Sequence, residues 1–499
     1  MPVAEILLSA SLQVLFDRLE DGLEGNMRYE VPRIARHSSY LGEEYDRITK
    51  FQPFYEVKDL SNGVGLQHFA SLKNLEISNC PQLVIMSNED TELAADLEYL
   101  TIRDCGNLEK LPQGLHNLTS LQKLEINGCS ALGSFPEMGL PSMLRLVEII
   151  NCKNLKSLPE GMIHNNTFLQ ELNIQNCDSL TSFPRGGLPT SLEYLCINGC
   201  SSLESLPEQM QNNTSLEKLE ITKCHSVTIF PRGLWLSTAT LKSLTIWDSI
   251  EIIEWCNIDS LLEGLCNLSS LQDLHIEECP SLVSFPEEGL LNNIETLHIV
   301  TCKNLKALPN QMHNLTSLQY LRIKECPSLV SFPEEGLPNN IKTLQIERCK
   351  NLKALPHRMH NLTSLQDLII RSCSNLSFPE GGLPTNLIEL HIWECENLDQ
   401  PLSEWGFQRL PSLARFFIGK SNLQSLPKGL HSLTSLEVLG ISNCQKIASF
   451  SKVGLPLMLC KLVILDCPLL SKRCRQGKGA DWPKIAHIPL IEIGGEEII

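Results

Sequence analysis

The chain has 499 residues, with 58 Asp and Glu against 41 Lys and Arg, and a formal net charge of −17 at pH 7. That balance argues against nonspecific nucleic-acid binding, which rests on cation-to-phosphate contacts, and favours solubility and partners with basic patches. No run of about 20 apolar residues occurs, so no membrane span is expected.

Residues 1–20 read MPVAEILLSASLQVLFDRLE. A secretory leader starts with positive charge, whereas Glu5 is the first charge here and no Lys or Arg precedes Arg18. Leu8, Leu12, Leu15 and Leu19 fall at helical spacing, which predicts a short amino-terminal amphipathic helix over residues 1–25 and a cytoplasmic location. Residues 26–65 are read as a linker and amino-terminal cap.

From residue 66 to 470 one phrase recurs, LxxLxIxxCxxL. Leu318, Leu321, Ile323, Cys326 and Leu329 form a clean copy, and Cys279, Cys302, Cys326, Cys349 and Cys373 follow one another at 23, 24, 23 and 24 residues. A fixed period of this length with this pattern is the signature of leucine-rich repeats, and about seventeen copies fit between Leu72 and Cys467. Two types alternate, one running SFPEEGLP as at 331–338 and the other LPxxMHNLTSL as at 308–318. The Leu-x-Ile step has the period-two alternation of a strand with one buried face. Stacked copies predict an α/β solenoid, a leucine-rich-repeat arc whose parallel strands form a concave sheet and whose return path is irregular or has short helical turns. Leu321, Ile323 and Leu329 should point inward, and Gln319, Tyr320, Arg322, Lys324 and Glu325 outward. Residues 471–499 are read as a carboxy-terminal cap and tail.

Fifteen of the twenty cysteines fall on the repeat position. Disulfides or metal ligands do not explain one cysteine per repeat, and no CxxC pair exists, so they are read as reduced, buried small hydrophobes. The eight N-x-[ST] sites mostly belong to the repeated NLTS phrase. They would matter only in a secreted chain.

Function is expected in the outward row, one residue per strand: Glu76, Thr101, Glu125, Glu148, Asn173, Cys196, Glu220, Thr245, His275, His298, Arg322, Gln345, Ile369, His391, Phe417, Gly440 and Val463. Its character moves from acidic to basic or aromatic, and Trp247 and Trp393 stand two places further along their strands. Aromatics and Arg dominate interface hot spots, so Trp247, His275, His298, Arg322, Trp393 and Phe417 are the candidate partner-binding residues. The competing reading for Trp247 is packing against the irregular stretch 250–271. Ala414, Gly419, Lys420 and Ser421 match a relaxed phosphate-loop pattern, but Leu413, Phe416 and Ile418 hold a repeat's strand register where such a loop needs a glycine-rich turn before a helix. Neither cofactor, metal nor catalytic residue is therefore expected, and His275 and His298 are read as part of a binding face.

The LPxxMHNLTSL and SFPExGLP repeats, with the ending at 467–470 (CPLL), 474–479 and 481–489 (DWPKIAHIP), resemble the carboxy-terminal part of plant coiled-coil nucleotide-binding leucine-rich-repeat disease-resistance proteins. Residues 1–19 resemble the start of that family's coiled coil, and residues 35–60 resemble the segment between its nucleotide switch and its repeats. The nucleotide-binding domain that separates those segments in the family is missing, since only residues 20–34 lie between them. The resemblance implies a pathogen-sensing, defence-related recognition module without an ATP/ADP switch, whose partner is a pathogen effector or the host protein it modifies. Other readings are a ubiquitin-ligase substrate receptor, for which 1–34 offers one helix where an adaptor-binding domain is needed, a secreted inhibitor of wall-degrading enzymes, and an NTPase resting on the relaxed motif alone.

Overall fold

One polar residue between two apolar ones places both apolar side chains on the same face of an extended segment. The computed structural model describes residues 47–48, 73–86, 95–159, 167–184, 188–207, 213, 215–227, 240–247, 268–285, 290–377, 381–395 and 406–498. The expected helix over 1–25 lies outside them, as does the expected linker except for 47–48.

The chain divides into two units, 1–241 and 242–499. In the first, β1 (Arg47–Ile48) pairs with β2 (Asn74–Ser78), followed by β3 (Tyr99–Arg103), β4 (Lys123–Asn127), β5 (Leu146–Ile150), β6 (Glu171–Gln175), β7 (Tyr194–Asn198) and β8 (Lys218–Thr222), every neighbouring pair parallel. The second runs β9 (Ser243–Trp247), β10 (Asp273–Glu277), β11 (Thr296–Val300), β12 (Tyr320–Lys324), β13 (Thr343–Glu347), β14 (Asp367–Arg371), β15 (Glu389–Trp393), β16 (Arg415–Gly419), β17 (Val438–Ser442) and β18 (Lys461–Leu465), also parallel. There β19 (Leu490–Ile493) continues the parallel ladder and β20 (Glu496–Glu497) closes it antiparallel. Registers stack like on like: Leu297 opposes Leu321 and Ile299 opposes Ile323. Leu321, Ile323 and Leu329 are fully buried, each contributing roughly 1.5–3 kcal/mol of hydrophobic stabilisation before chain entropy is subtracted.

Helical content is lower than an α/β solenoid implies. Among the described residues the return segments carry short 3-10 turns, at Gln113–Asn117, Met312–Asn314, Met359–Asn361, Phe407–Arg409 and Leu430–Ser432. The α-helices α1 (Pro468–Arg473) and α2 (Trp482–Ile485) follow the last repeat strand. Both units are parallel β-solenoids. The phrase leaves about a dozen residues for each return, and prolines such as Pro333 interrupt them, so full helical turns have little room to propagate.

Immediately after each of β2 to β8 and β10 to β18 the chain turns through a left-handed residue, Asn79, Asp104, Gly128, Asn151, Asn176 and Gly199 among them. The turn directs that residue's N–H at the next strand, as in Asp104 N–H to Asn127 O at 2.8 Å and Glu325 N–H to Glu347 O at 2.8 Å. The cysteine one residue later then points into the core. Cys326 Sγ donates toward Lys324 O at 3.4 Å and lies 3.9 Å from Ile299 O of the preceding strand, so the thiol adds a second donor to the Lys324 carbonyl, which already accepts from Thr301 N–H at 2.7 Å.

Burial pushes the Cys129 and Cys349 thiols up to about 12, which removes the thiolate that alkylation requires. Of the described cysteines, Cys460 is exposed and the others are buried. Iodoacetamide on native protein should label Cys460 and spare the ladder cysteines until denaturant is added. Peptide mass spectrometry that finds Cys302 joined to Cys326, or equal native labelling of the ladder, would contradict this.

Candidate functional site

A strand whose second and fourth residues are buried presents its first, third and fifth residues on the opposite face, and parallel register aligns these into rows. In the first unit the third-residue row is acidic at Glu76, Glu125, Glu148 and Glu220, but the charge is largely compensated within the face. Arg103 lies 2.6 Å from Glu125 and 3.7 Å from Glu76, and Lys123 lies 2.7 Å from Glu148 and 3.3 Å from Glu125. Burial raises the Glu125 carboxyl, yet hydrogen bonds from Arg103 and Lys123 outweigh it and hold its pKa below the ordinary carboxylate value. Glu125 is consequently only 5% exposed, as is Cys196, which lies beside Tyr194 and Glu220. The uniformly open row expected from sequence is therefore interrupted at these two positions. Tyr194 donates its hydroxyl to Glu220 at 2.9 Å, and Lys218 sits 4.7 Å above the Tyr194 ring.

All six candidate residues lie in the second unit. His275, His298 and Arg322 are in register on β10, β11 and β12, and Trp247 ends the adjacent β9, opposite Glu277. Trp393 and Phe417 stand on β15 and β16, separated from the first group by β13 and β14.

The first group contains a ring stack that sequence reading did not include. His275 and His298 have centroids 5.1 Å apart, and His298 stacks on Tyr320 at 5.0 Å. Burial, with repulsion from the neighbouring His275 and Arg322 side chains, pushes the His298 imidazole down to about 4. His298 therefore offers a neutral ring at pH 7, so the face is less basic than its composition implies. His275 lies 3.3 Å from Glu277, and Arg322 reaches Glu347 on β13 at 3.7 Å.

In the second group the rings lie sideways. A Cβ on Gly419 would come within 2.2 Å of the Trp393 ring, and one on Gly440 within 2.5 Å of Phe417. Neither glycine has a positive φ, so both are required for space: each ring covers the bare backbone of the next strand. His391 tilts against Phe417 at 4.5 Å and is bonded to Glu389, which also pairs with Arg415. Lys420 and Glu394 form an ion pair at 3.4 Å. The readable signal for this platform was a glycine in the same strand position one repeat after each large ring.

The relaxed phosphate-loop match has strand geometry. Residues Arg415–Gly419 form β16, Lys420 is the left-handed residue after it, and Ser421 is 5% exposed. Backbone N–H groups of a strand are committed to the neighbouring ladder, so they cannot converge on a phosphate. Among the described residues no group of three or more His, Cys, Asp and Glu is placed to hold a metal ion, and no helix is long and apolar enough to cross a membrane.

A family model described as "R13L1/DRL21 LRRs" matches residues 253–326. The disease resistance protein RPP4 of Arabidopsis thaliana is 33% identical over 96 residues, covering 19% of this chain and 8% of that protein. The protein SUPPRESSOR OF npr1-1, CONSTITUTIVE 1, also of Arabidopsis thaliana, is 36% identical over 81 residues, covering 16% of this chain and 5% of that protein. Each match thus spans less than a tenth of the plant relative. Among solved structures, a leucine-rich-repeat protein of Leptospira interrogans is similar at 19% identity and a TM-score of 0.46, over 84% of this chain and 95% of that one. The chain has a leucine-rich-repeat fold with local similarity to plant resistance proteins, and none of these matches points to an enzymatic family.

Proposed function

We propose that the chain is a noncatalytic protein-recognition module whose binding surface is the strand face of the second unit, in a pathogen-sensing role like that of the repeats in plant intracellular immune receptors. Its partner is a pathogen effector or a host protein that such an effector modifies. The observation that carries this reading is the grouping of half-exposed rings and charged side chains on that face, at positions the core does not require. Rings over glycine at Trp393 and Phe417, and the His275–His298–Tyr320 stack, are held in place before any partner arrives, which lowers the entropic cost of binding. The reading invokes no ATP or ADP step, and it places the protein in the cytoplasm.

A partner captured by proximity labelling in plant cells would allow calorimetry on an alanine series at Trp247, His275, His298, Arg322, Trp393 and Phe417. At least one of these should lose about 2 kcal/mol, roughly thirtyfold in affinity, with thermal unfolding checked for each variant. The exposed return-side change Lys306→Ala should have little effect. Unchanged affinity across the strand-face series, with loss at the return side, would place the site on the wrong surface.

A further inference from the structure

The return loop between β17 and β18 differs in character from the one between β12 and β13, and shares exposed apolar positions with the loop at 135–144, where Met138 and Met143 stand. Residues 332–341 read FPEEGLPNNI and residues 450–459 read FSKVGLPLML, so Lys452, Val453, Leu457 and Met458 stand where Glu334, Glu335, Asn339 and Asn340 stand five repeats earlier, after β12 rather than β17. Where that loop position is asparagine the side chain is tied down, as in Asn340 to Thr316 O and Asn386 to Thr363 O. Relative to the loop at 332–341, the loop at 450–459 is basic and aliphatic where the other is acidic and hydrogen-bonded.

Leu457, Val453 and Met458, at 85%, 70% and 64%, are the most exposed large hydrophobic side chains among the described residues. Three such side chains within six residues form a patch rather than the scattered exposure any surface shows. The loop is seated on the cap, since His487 Nε2 lies 3.3 Å from Pro456 O and Lys484 Nζ donates to Phe450 O at 3.0 Å. Residues 446–465 hold Lys446, Lys452 and Lys461 and no Asp or Glu, in a chain of net charge −17. An apolar tip within a cationic stretch matches the chemistry of an anionic bilayer surface, where aliphatic side chains enter the headgroup boundary and lysines meet lipid phosphates. A protein-binding hot spot would instead be expected to use aromatics and Arg, since Leu and Val are under-represented there.

We propose that loop 451–458 is a membrane-surface docking element: Val453, Leu457 and Met458 insert shallowly into an anionic lipid bilayer while Lys452 engages its headgroups. The full chain is tested by co-sedimentation with phosphatidylcholine vesicles and with vesicles containing phosphatidylserine at about 0.15 M salt. Binding should appear with the anionic vesicles, weaken as salt is raised, and fall about tenfold or more in the double variant Leu457→Ser, Met458→Ser. Lys452→Glu should weaken it as well. Both sites are exposed, so thermal unfolding should be unchanged, which separates lost docking from lost folding. Absence of sedimentation with anionic vesicles, equal binding to both vesicle types, or full binding by the double variant would overturn the proposal. Capture on immobilised polyglutamate without vesicle binding would also overturn it, by assigning the patch to an acidic polypeptide.

Discussion

Asp481→Ala is expected to release the carboxy-terminal cap, at a cost of about 3 kcal/mol. Asp481 is fully buried, and its carboxylate is held from three directions: Phe450 N–H donates to it at 3.0 Å, Lys484 lies at 2.8 Å, and Arg473 donates through two nitrogens at 3.1 and 3.2 Å. One side chain thereby joins α1, α2 and the return loop of the last repeat. Its removal strands the Phe450 N–H and withdraws the anion around which the two cations converge, although Arg473 remains exposed enough to be hydrated. Burial raises the Asp481 carboxyl, but the bonds from Arg473, Lys484 and Phe450 outweigh it and keep its pKa below the usual carboxylate value. The sign for acid follows: a depressed folded pKa gives stability that is fully present above the unfolded value of about 3.9 and lost as pH falls through the folded one. Asp481→Asn should flatten that part of the acid dependence. Each repeat contacts only its neighbours, so hydrogen exchange should accelerate in 450–498 and stay unchanged in β10 to β13. Unaltered protection in the cap of Asp481→Ala would show that the carboxylate does not hold it.

The repeat period, the strand positions and the buried Leu, Ile and Cys were legible because a solenoid repeats one local solution, so each copy of the phrase reports on the others. Leu321, Ile323 and Cys326 needed only period-two alternation and the phrase spacing to be placed. The left-handed residue after each strand was less visible. Asn79, Gly128 and Asn443 are types that tolerate positive φ, but Thr301, Glu325 and Arg348 adopt it too, and a β-branched residue such as Thr301 gives no local hint of that conformation. On the strand face, composition told which residues alternate outward but not which neighbours cover them. Glu125 looked open until Arg103 and Lys123 were seen to fold over it, and Tyr320 entered the His298 stack through a contact between adjacent strands. The proposed recognition residues belong to this second kind of information, since side-chain lean depends on what the next repeat leaves empty, as Gly419 does for Trp393.

Asn213→Ala should cost about 3 kcal/mol, the loss expected when several buried polar groups are left unpaired at once. Asn213 occupies the turn position held by the buried Leu118, Leu315, Leu362 and Leu433 in sister repeats, and it is itself fully buried. In those repeats a backbone bond closes the turn, as in Leu318 N–H to Leu315 O at 3.0 Å and Leu365 N–H to Leu362 O at 3.1 Å. Around Asn213 the side-chain oxygen takes that role, accepting from Ser215 N–H at 2.9 Å and Leu216 N–H at 2.7 Å, while its Nδ2 donates to Pro189 O at 2.6 Å and Leu192 O at 3.2 Å. Alanine removes the amide without supplying the volume. Leucine supplies the volume and allows the sister-repeat backbone turn to form, so Asn213→Leu should cost less than about 1.5 kcal/mol. Aspartate keeps the acceptor for the two N–H groups but turns an oxygen toward the Pro189 and Leu192 carbonyls, and should do no better than alanine. Urea midpoints for the three variants decide the matter. Equal losses for alanine and leucine would mean that the amide bridge is not what the position requires, and the same full burial explains why the N-x-[ST] match at Asn213 cannot present its amide for modification in the folded chain.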